Sequence, residues 1–282
     1  MVGLIALALS FNSVAVTPPQ KEAINGLPCA RVHGIAKEGS RWLVGGLDGL
    51  WIGEPGKKWE QINHSAVRQV ASQGEDHWVL YGNGSVDKLN IKRDRLYFDV
   101  LHETAKRPWA AALAMDGQTA LFGGCGGWIE KGTDSFQETY PEQIGETPIT
   151  ALARFGESMA LGTQSGLWLV SGEKVQKLSF AQGLPDNWIT GLVADGQTLW
   201  IGTASGGLCQ WNGRALETVK SPSQRIRLMT NWNGRLVLGT LDGCFLRGSS
   251  GFEQLTLEET TVLTVIEKRL YVGTPEKLLV VK

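Results

Sequence analysis

The chain has 282 residues, with Lys+Arg 27 against Asp+Glu 28, 42% hydrophobic residues, 36 Gly, 11 Trp and 4 Cys. A chain this long buries roughly three quarters of its unfolded surface, so it needs neither a disulfide nor a metal to hold a core. The balanced charge argues against a nucleic-acid protein, whose basic excess gathers on one face, and no apolar run reaches the ~20 residues of a membrane span.

The first predicted element lies at the N-terminus. Ile5, Leu7, Leu9 and Phe11 alternate with Ala6, Ala8, Ser10 and Asn12, and Val14 and Val16 keep the phase. That is the period of a strand, and it is expected to complete the last repeat described below. The rival reading is a signal peptide over residues 1–15, with Gly3 to Leu9 apolar and Ser13-Val14-Ala15 as a small-residue cleavage site. The first basic residue is Lys21, so the positively charged start is missing. This favours the strand and tilts an otherwise open location towards the cytoplasm. Cleavage after Ala15 would leave only Val16 and the Pro18-Pro19 region to close the ring, and Pro cannot donate to a ladder.

Beyond this segment the chain repeats itself. A short apolar run ending in Gly recurs as WLVGG, VLYGN, ALFGG, MALGT, LWIGT, LVLGT and LYVGT, marked by Gly45, Gly82, Gly123, Gly162, Gly202, Gly239 and Gly273. The spacing is ~40 residues, within the period of propeller blades. Each copy reads as an apolar strand such as Ile189 to Asp195, a polar turn, the Gly-marked strand, a Gly-rich hairpin, a third strand and an alternating fourth strand such as KVQKLSF. The prediction is an all-β fold, one seven-bladed β-propeller of four-stranded antiparallel blades over 1–282. The blades fall at about 29–65, 66–106, 107–146, 147–185, 186–222, 223–259 and 260–282, with 1–28 as closing strand and lead-in.

The segment from Gly183 to Trp211 resembles the two-component-regulator propeller repeat. It carries Gly183-Leu184-Pro185, Asp195-Gly196, Leu199-Trp200-Ile201-Gly202-Thr203 and Gly207-Leu208 at the corresponding stations. Gly26-Leu27-Pro28 and Thr163 to Trp168 match parts of the pattern, whereas Asn83-Gly84-Ser85 replaces the usual turn in the second copy. The resemblance implies a propeller of the kind found as the extracytoplasmic sensing part of histidine kinases. No kinase or DNA-binding segment follows the last copy here, so the expectation is a stand-alone propeller.

Catalytic signatures are missing. There is no phosphate loop, no H-E-x-x-H, no EF-hand loop and no G-x-S-x-G elbow. His33, His64, His77 and His102 are dispersed, and Cys29, Cys125, Cys209 and Cys244 fall in different repeats without metal spacing. Neither a metal nor a cofactor is expected. Trp51, Trp128, Trp168 and Phe245 occupy equivalent third-strand places and read as core, as do Trp42, Trp78 and Trp200.

One constellation remains. Aligning the innermost strands on Val32, Val67, Ala110, Ile149, Ile189, Ile226 and Val262 places Arg31, Trp109, Trp188 and Arg225 just before the aligned residue. His33, Arg68 and Arg227 fall just after it. Four arginines, one His and two Trp thus converge on the mouth of the central channel. Guanidinium forks suit a planar oxyanion, unless acids such as Asp186 neutralise them. The leading expectation is a non-enzymatic module, probing either a protein partner or an anionic small molecule at this mouth, and acting as a monomer. The alternatives are a lyase or hydrolase with its site in the mouth, and a sensor domain acting through a separate signalling partner.

Overall fold

The computed structural model describes residues 19–93, 95–102, 105–107, 109–132 and 135–282. Seven four-stranded antiparallel sheets follow one another around a ring, making a seven-bladed β-propeller. In chain order the innermost strands are Gly34–Glu38, Val67–Gln73, Ala112–Asp116, Ala151–Phe155, Ile189–Asp195, Ile226–Trp232 and Val262–Ile266. Six blades run innermost to outermost in sequence order. In the seventh, Val262–Ile266, Arg269–Gly273 and Leu278–Val281 are completed on the outside by Lys21–Ile24. Among the described residues, no helix is long and apolar enough to cross a membrane.

Ring closure therefore uses an N-terminal strand, but a different one from that expected. Lys21 pairs with Val281 and Ile24 with Leu278, and the Lys282 N–H donates to the Gln20 carbonyl at 3.0 Å. The alternating stretch Ile5 to Val16 lies outside the described residues. Because closure begins at Lys21, loss of residues 1–15 would leave the ring intact, and the proline objection to cleavage falls away.

The core is divided. Seven apolar clusters each join two adjacent blades, for example Leu167, Leu169 and Leu178 of blade 4 with Ile189, Leu199 and Ile201 of blade 5. The recurring Gly is explained by this division. A Cβ on Gly45 would meet Val67 Cγ1 at 2.5 Å, one on Gly123 would meet Ile149 Cγ2 at 2.7 Å, and one on Gly162 would meet Ile189 Cγ2 at 2.6 Å. In each case the obstacle is the aligned residue of the next blade. The glycine is required by packing, since none of the three has a positive φ.

Blade 2 solves the same problem in reverse. Tyr81 pairs with Val67 across a bulge, as Thr203 pairs with Ile189, so Leu80 rather than Gly82 stands at the repeated position. Leu80 packs against Ala110, the small residue that blade 3 supplies where blades 4 and 5 supply Ile. The sequence marker Gly82 is therefore two residues out of register, and a Cβ there would meet nothing closer than 3.6 Å.

The hairpins between second and third strands are tied by threonine. Thr163, Thr203 and Thr240 are buried, and each hydroxyl donates at 2.8 Å to the carbonyl of Gly166, Gly207 or Gly243 respectively. This is the physical content of the repeated Gly-Thr. These hairpins share one face of the ring with the connections that lead into the innermost strands, and they hold the channel mouth in place.

Candidate functional site

The mouth is built from equivalent backbone positions, because each innermost strand is entered through a fixed hydrogen bond. The N–H groups of His33, Ala111, Thr150 and Thr261 donate to the carbonyls of Gly45, Gly123, Gly162 and Gly273 at 2.7–2.9 Å. This places Thr260, not Val262, at the aligned position of blade 7. Thr260 is buried, its side chain lies where a Cβ on Gly239 would fall, and its hydroxyl bonds to the Gly243 carbonyl. The alignment through Val262 is thus corrected by two residues. The residue preceding the aligned position is Glu259, and sequence reasoning missed it.

Glu259 organises one side of the mouth. It accepts from the Arg31 guanidinium of blade 1 at 2.6 Å and from the Arg227 guanidinium of blade 6 at 3.0 Å. His33 lies in the same group. Its pKa is lowered first by burial and then by Arg31 and Arg227, against the opposing pull of Glu259 and the Val67 backbone. A neutral imidazole thus stands among two cations and one anion. Arg31 itself adopts φ 46, an unusual left-handed backbone for a non-glycine residue, fixed by its N–H bonding to the Pro275 carbonyl at 3.0 Å. Such a conformation costs of order 1–3 kcal/mol and clusters at functional sites.

Arg68 of blade 2 extends this arc. Its side chain is exposed, yet enough protein surrounds it that loss of solvent lowers its pKa from the ordinary guanidinium value. Among the described residues it has no hydrogen bond or ion pair. Arg225 differs. Its guanidinium bonds to Asp242 in the Leu-Asp-Gly hairpin, and Asp242 also accepts from the Ser223 hydroxyl. The hydrogen bonds from Ser223 and Arg225 hold the Asp242 carboxyl below its usual range.

Asp186 does not neutralise the arginines. It accepts from the Ser205 N–H and hydroxyl, both at 2.8 Å, and from the Trp188 N–H at 3.0 Å. Burial pushes its pKa up, but these hydrogen bonds outweigh burial and the net shift is downward. Asp186 is a lock between the connection and the hairpin of blade 5, and it presents Trp188 to solvent.

The remaining arc is aromatic. Trp109 of blade 3 is 68% exposed and Trp188 of blade 5 is 48% exposed, with Pro148 at the equivalent place in blade 4 between them. The seven predicted residues Arg31, His33, Arg68, Trp109, Trp188, Arg225 and Arg227 thus all sit at the mouth end of the innermost strands. Arg31, His33 and Arg227 form one group through Glu259, while Arg225 is engaged elsewhere. The result is a ring with two characters: arginines on blades 6, 1 and 2 around the Glu259 carboxylate of blade 7, and exposed tryptophans on blades 3 and 5.

Other sequence candidates resolve as packing. Trp42, Trp78, Trp128, Trp200 and Phe245 are buried, whereas Trp51 and Trp168, also read as core, are half-buried. Cys209 and Cys244 are buried, free thiols, with burial pushing their pKa up to about 11 and about 12. Among the described residues, no group of three or more His, Cys, Asp or Glu is placed to hold a metal ion. A cavity of about 340 Å³ lined by Ile24 to Val32 with Glu276 and Lys277 borders Arg31. A second of about 810 Å³ lies among opposite-face turns, where Arg247 covers Trp200 at 4.4 Å.

The ring is a seven-bladed β-propeller with a bipolar loop face. Solved structures share that fold. The extracellular domain of a one-component system from B. thetaiotaomicron matches with TM-score 0.72 at 15% identity, covering 93% of this chain and 39% of its own. That of a hybrid two-component system from the same organism matches with TM-score 0.74 at 14% identity, covering 94% and 42%. The WD40 propeller domain of Doa1 matches with TM-score 0.71 at 9% identity, covering 94% and 97%. The chain spans about two fifths of the two B. thetaiotaomicron domains, and at these identities the likeness is one of fold. No family model and no curated protein matches the sequence.

Proposed function

We propose that this propeller is a binding module that recognises a carboxylate-bearing ligand at its channel mouth. The observation that carries the reading is Arg68, a partly desolvated guanidinium with no partner among the described residues. Elsewhere on the same mouth Arg31 and Arg227 share the single carboxylate of Glu259. Two guanidiniums on one carboxylate leave donor capacity unused, and an incoming oxyanion fills it. The aromatic arc gives the apolar part of the ligand a surface. The neighbours that are extracellular domains of one- and two-component systems support an extracytoplasmic place, against the cytoplasmic tilt of the sequence. They also support a sensor role.

A thermal-shift panel of carboxylates, sugars, uronates and divalent metals tests this. A ligand at a hundredfold excess over Kd adds about 2.7 kcal/mol to stability. The reading expects dose-dependent shifts confined to carboxylates, and a panel in which only neutral sugars shift the midpoint overturns it.

A second reading rests on His33. A neutral imidazole beside arginines is a competent base for taking a proton adjacent to a carboxylate, which would suit a lyase. Its weakness is Glu259, whose two guanidinium bonds hold it as an ion-pair acceptor and leave no general acid. Incubation with uronate polymers tests it, since elimination creates a new ultraviolet-absorbing double bond. No such product means no lyase.

A further inference from the structure

The large apolar side chains left exposed are distributed unevenly between the two faces of the ring. Leu47, Phe98, Trp109, Phe180, Trp188 and Leu257 are each 48–78% exposed. Leu47 lies in the hairpin between second and third strands of blade 1. The other five lie in connections leading from a fourth strand to the next innermost strand. By the alternation of antiparallel strands, all six stand on the face that carries the channel mouth. The opposite face is built of turns such as Gly39-Ser40, Gly156-Glu157, Gly172-Glu173 and Gly213-Arg214, and among the described residues the large exposed apolar side chains towards it are Phe136 at the start of a strand and Val265 near the end of one, each only 36% exposed.

Exposed apolar side chains gathered on one face mark an interaction surface. Two of the connections are pre-shaped. Phe180 opens a short 3-10 turn whose N–H is taken by the Asn187 side chain at 2.7 Å, and Trp188 follows the Asp186 lock in the same connection. These aromatic rings are held out by hydrogen bonds behind them, so little ordering is required on binding.

Charge selects the occupant. Beside the innermost strands Arg31, Arg68, Arg225 and Arg227 face one acid, Glu259, while of the hairpin and connection acids Asp48, Asp186 and Asp242 on the same face only Asp242 pairs with one of these arginines among the described residues. Resting on the carboxylate reading above, we infer that the ligand is an acidic segment of a protein partner. One carboxylate of that segment would seat against Arg68 and Arg227, and its aromatic or leucine side chains would lie on Trp109 and Trp188. A free small carboxylate would use the cationic arc alone and leave the outer apolar residues idle. An extended peptide uses both arcs, as interface anchors of Trp and Arg do elsewhere.

The test is selection of a displayed random peptide library against the full chain, followed by binding of the enriched peptides to variants. The expected outcome is enrichment of sequences combining Asp or Glu with aromatic residues or Leu, bound more weakly as salt rises. Trp109→Ser and Trp188→Ser, both at exposed positions, should each weaken binding at least tenfold. Arg68→Ala with Arg227→Ala should abolish it. Acidic peptides that need the arginines but ignore both tryptophans overturn the protein-partner inference and leave the carboxylate reading standing. Enrichment of neutral or basic peptides, binding indifferent to the arginines, or no enrichment at all overturns the inference. If carboxylates then also fail to shift the midpoint, both fall.

Discussion

Adding one methyl group at Gly162 should damage the ring, whereas the same change at Gly82 should not. An alanine Cβ at residue 162 would stand 2.6 Å from Ile189 Cγ2 and 2.9 Å from Ile189 Cβ. Both obstacles belong to the body of a β-branched side chain that is fully buried between blades, not to a flexible tip. Overpacking of this kind costs about 1–3 kcal/mol, which lowers the thermal midpoint by roughly 2–5 °C in a chain of this size. At Gly82 the nearest atom is 3.6 Å away and φ is not positive, so Gly82→Ala should stay within about 0.5 kcal/mol of the parent. Urea denaturation of the two variants provides the comparison. The double variant Gly162→Ala with Ile189→Ala should be less destabilised than the sum of its parts, with a coupling of about 0.5–3 kcal/mol. Equal destabilisation at 162 and 82, or strict additivity with Ile189→Ala, would refute the view that the repeated glycine exists to admit the next blade.

Four further outcomes follow from contacts in the same ring. His77 is buried, with Nδ1 3.0 Å from the Ser72 hydroxyl and Nε2 without a partner, and burial lowers its pKa to about 4. The unfolded chain therefore binds the extra proton first. Stability should fall as pH drops from about 6.5 to 4, by up to about 3 kcal/mol, and His77→Leu should remove that part of the slope in pH-dependent denaturation. Thr203→Val strips a buried hydroxyl that serves the Gly207 carbonyl and the Gly206 N–H, and should cost about 1–3 kcal/mol by urea denaturation, while Thr203→Ser retains most of it. Glu259→Gln frees Arg31 and Arg227 and should tighten carboxylate binding about threefold to tenfold by calorimetry. In the parent, a bound carboxylate should raise the depressed His33 pKa, so affinity increases as pH falls through it, as NMR titration of the imidazole would record.

The architecture was legible because its main signal is a contact. A glycine every ~40 residues registers the approach of one blade to the next, and Gly-Thr registers a hairpin tied by a hydroxyl. The errors arose where blades meet that requirement with other residues. Blade 2 uses Leu80 against Ala110, so the search for glycine settled on Gly82. Blade 7 uses Thr260, whose hydroxyl is satisfied by the Gly243 carbonyl. Alignment on apolar character therefore slid to Val262 and hid Glu259. Constant spacing would have found it, since the aligned residue stands thirteen positions before the repeated glycine in blades 1, 3, 4, 5 and 6. The closing strand was misplaced for a related reason. Lys21–Ile24 is a short outer edge with three exposed residues out of four, and edge strands are kept polar and charged to discourage unwanted pairing. Strand periodicity is weakest there, and the apolar alternation of Ile5 to Val16 drew the assignment instead. Arg31, His33, Arg68, Trp109, Trp188, Arg225 and Arg227 stand at the mouth end of their strands because the six innermost strands that carry them were in register. Which of them are free and which are paired depended on Glu259, Asp242 and Asp186, whose partners only the folded ring brings together.

The measurement that bears most directly on the mouth is a calorimetric titration of a carboxylate-bearing ligand into three chains at low ionic strength. These are the parent, Arg68→Ala with Arg227→Ala, and a charge-matched control, Lys174→Ala with Arg214→Ala, whose residues are exposed towards the opposite face, Lys174 at the start of a strand and Arg214 in a bend. Binding lost only in the mouth variant is the predicted result. Equal weakening in the mouth variant and the control would show that net charge, rather than the channel mouth, governs binding, and would contradict the account.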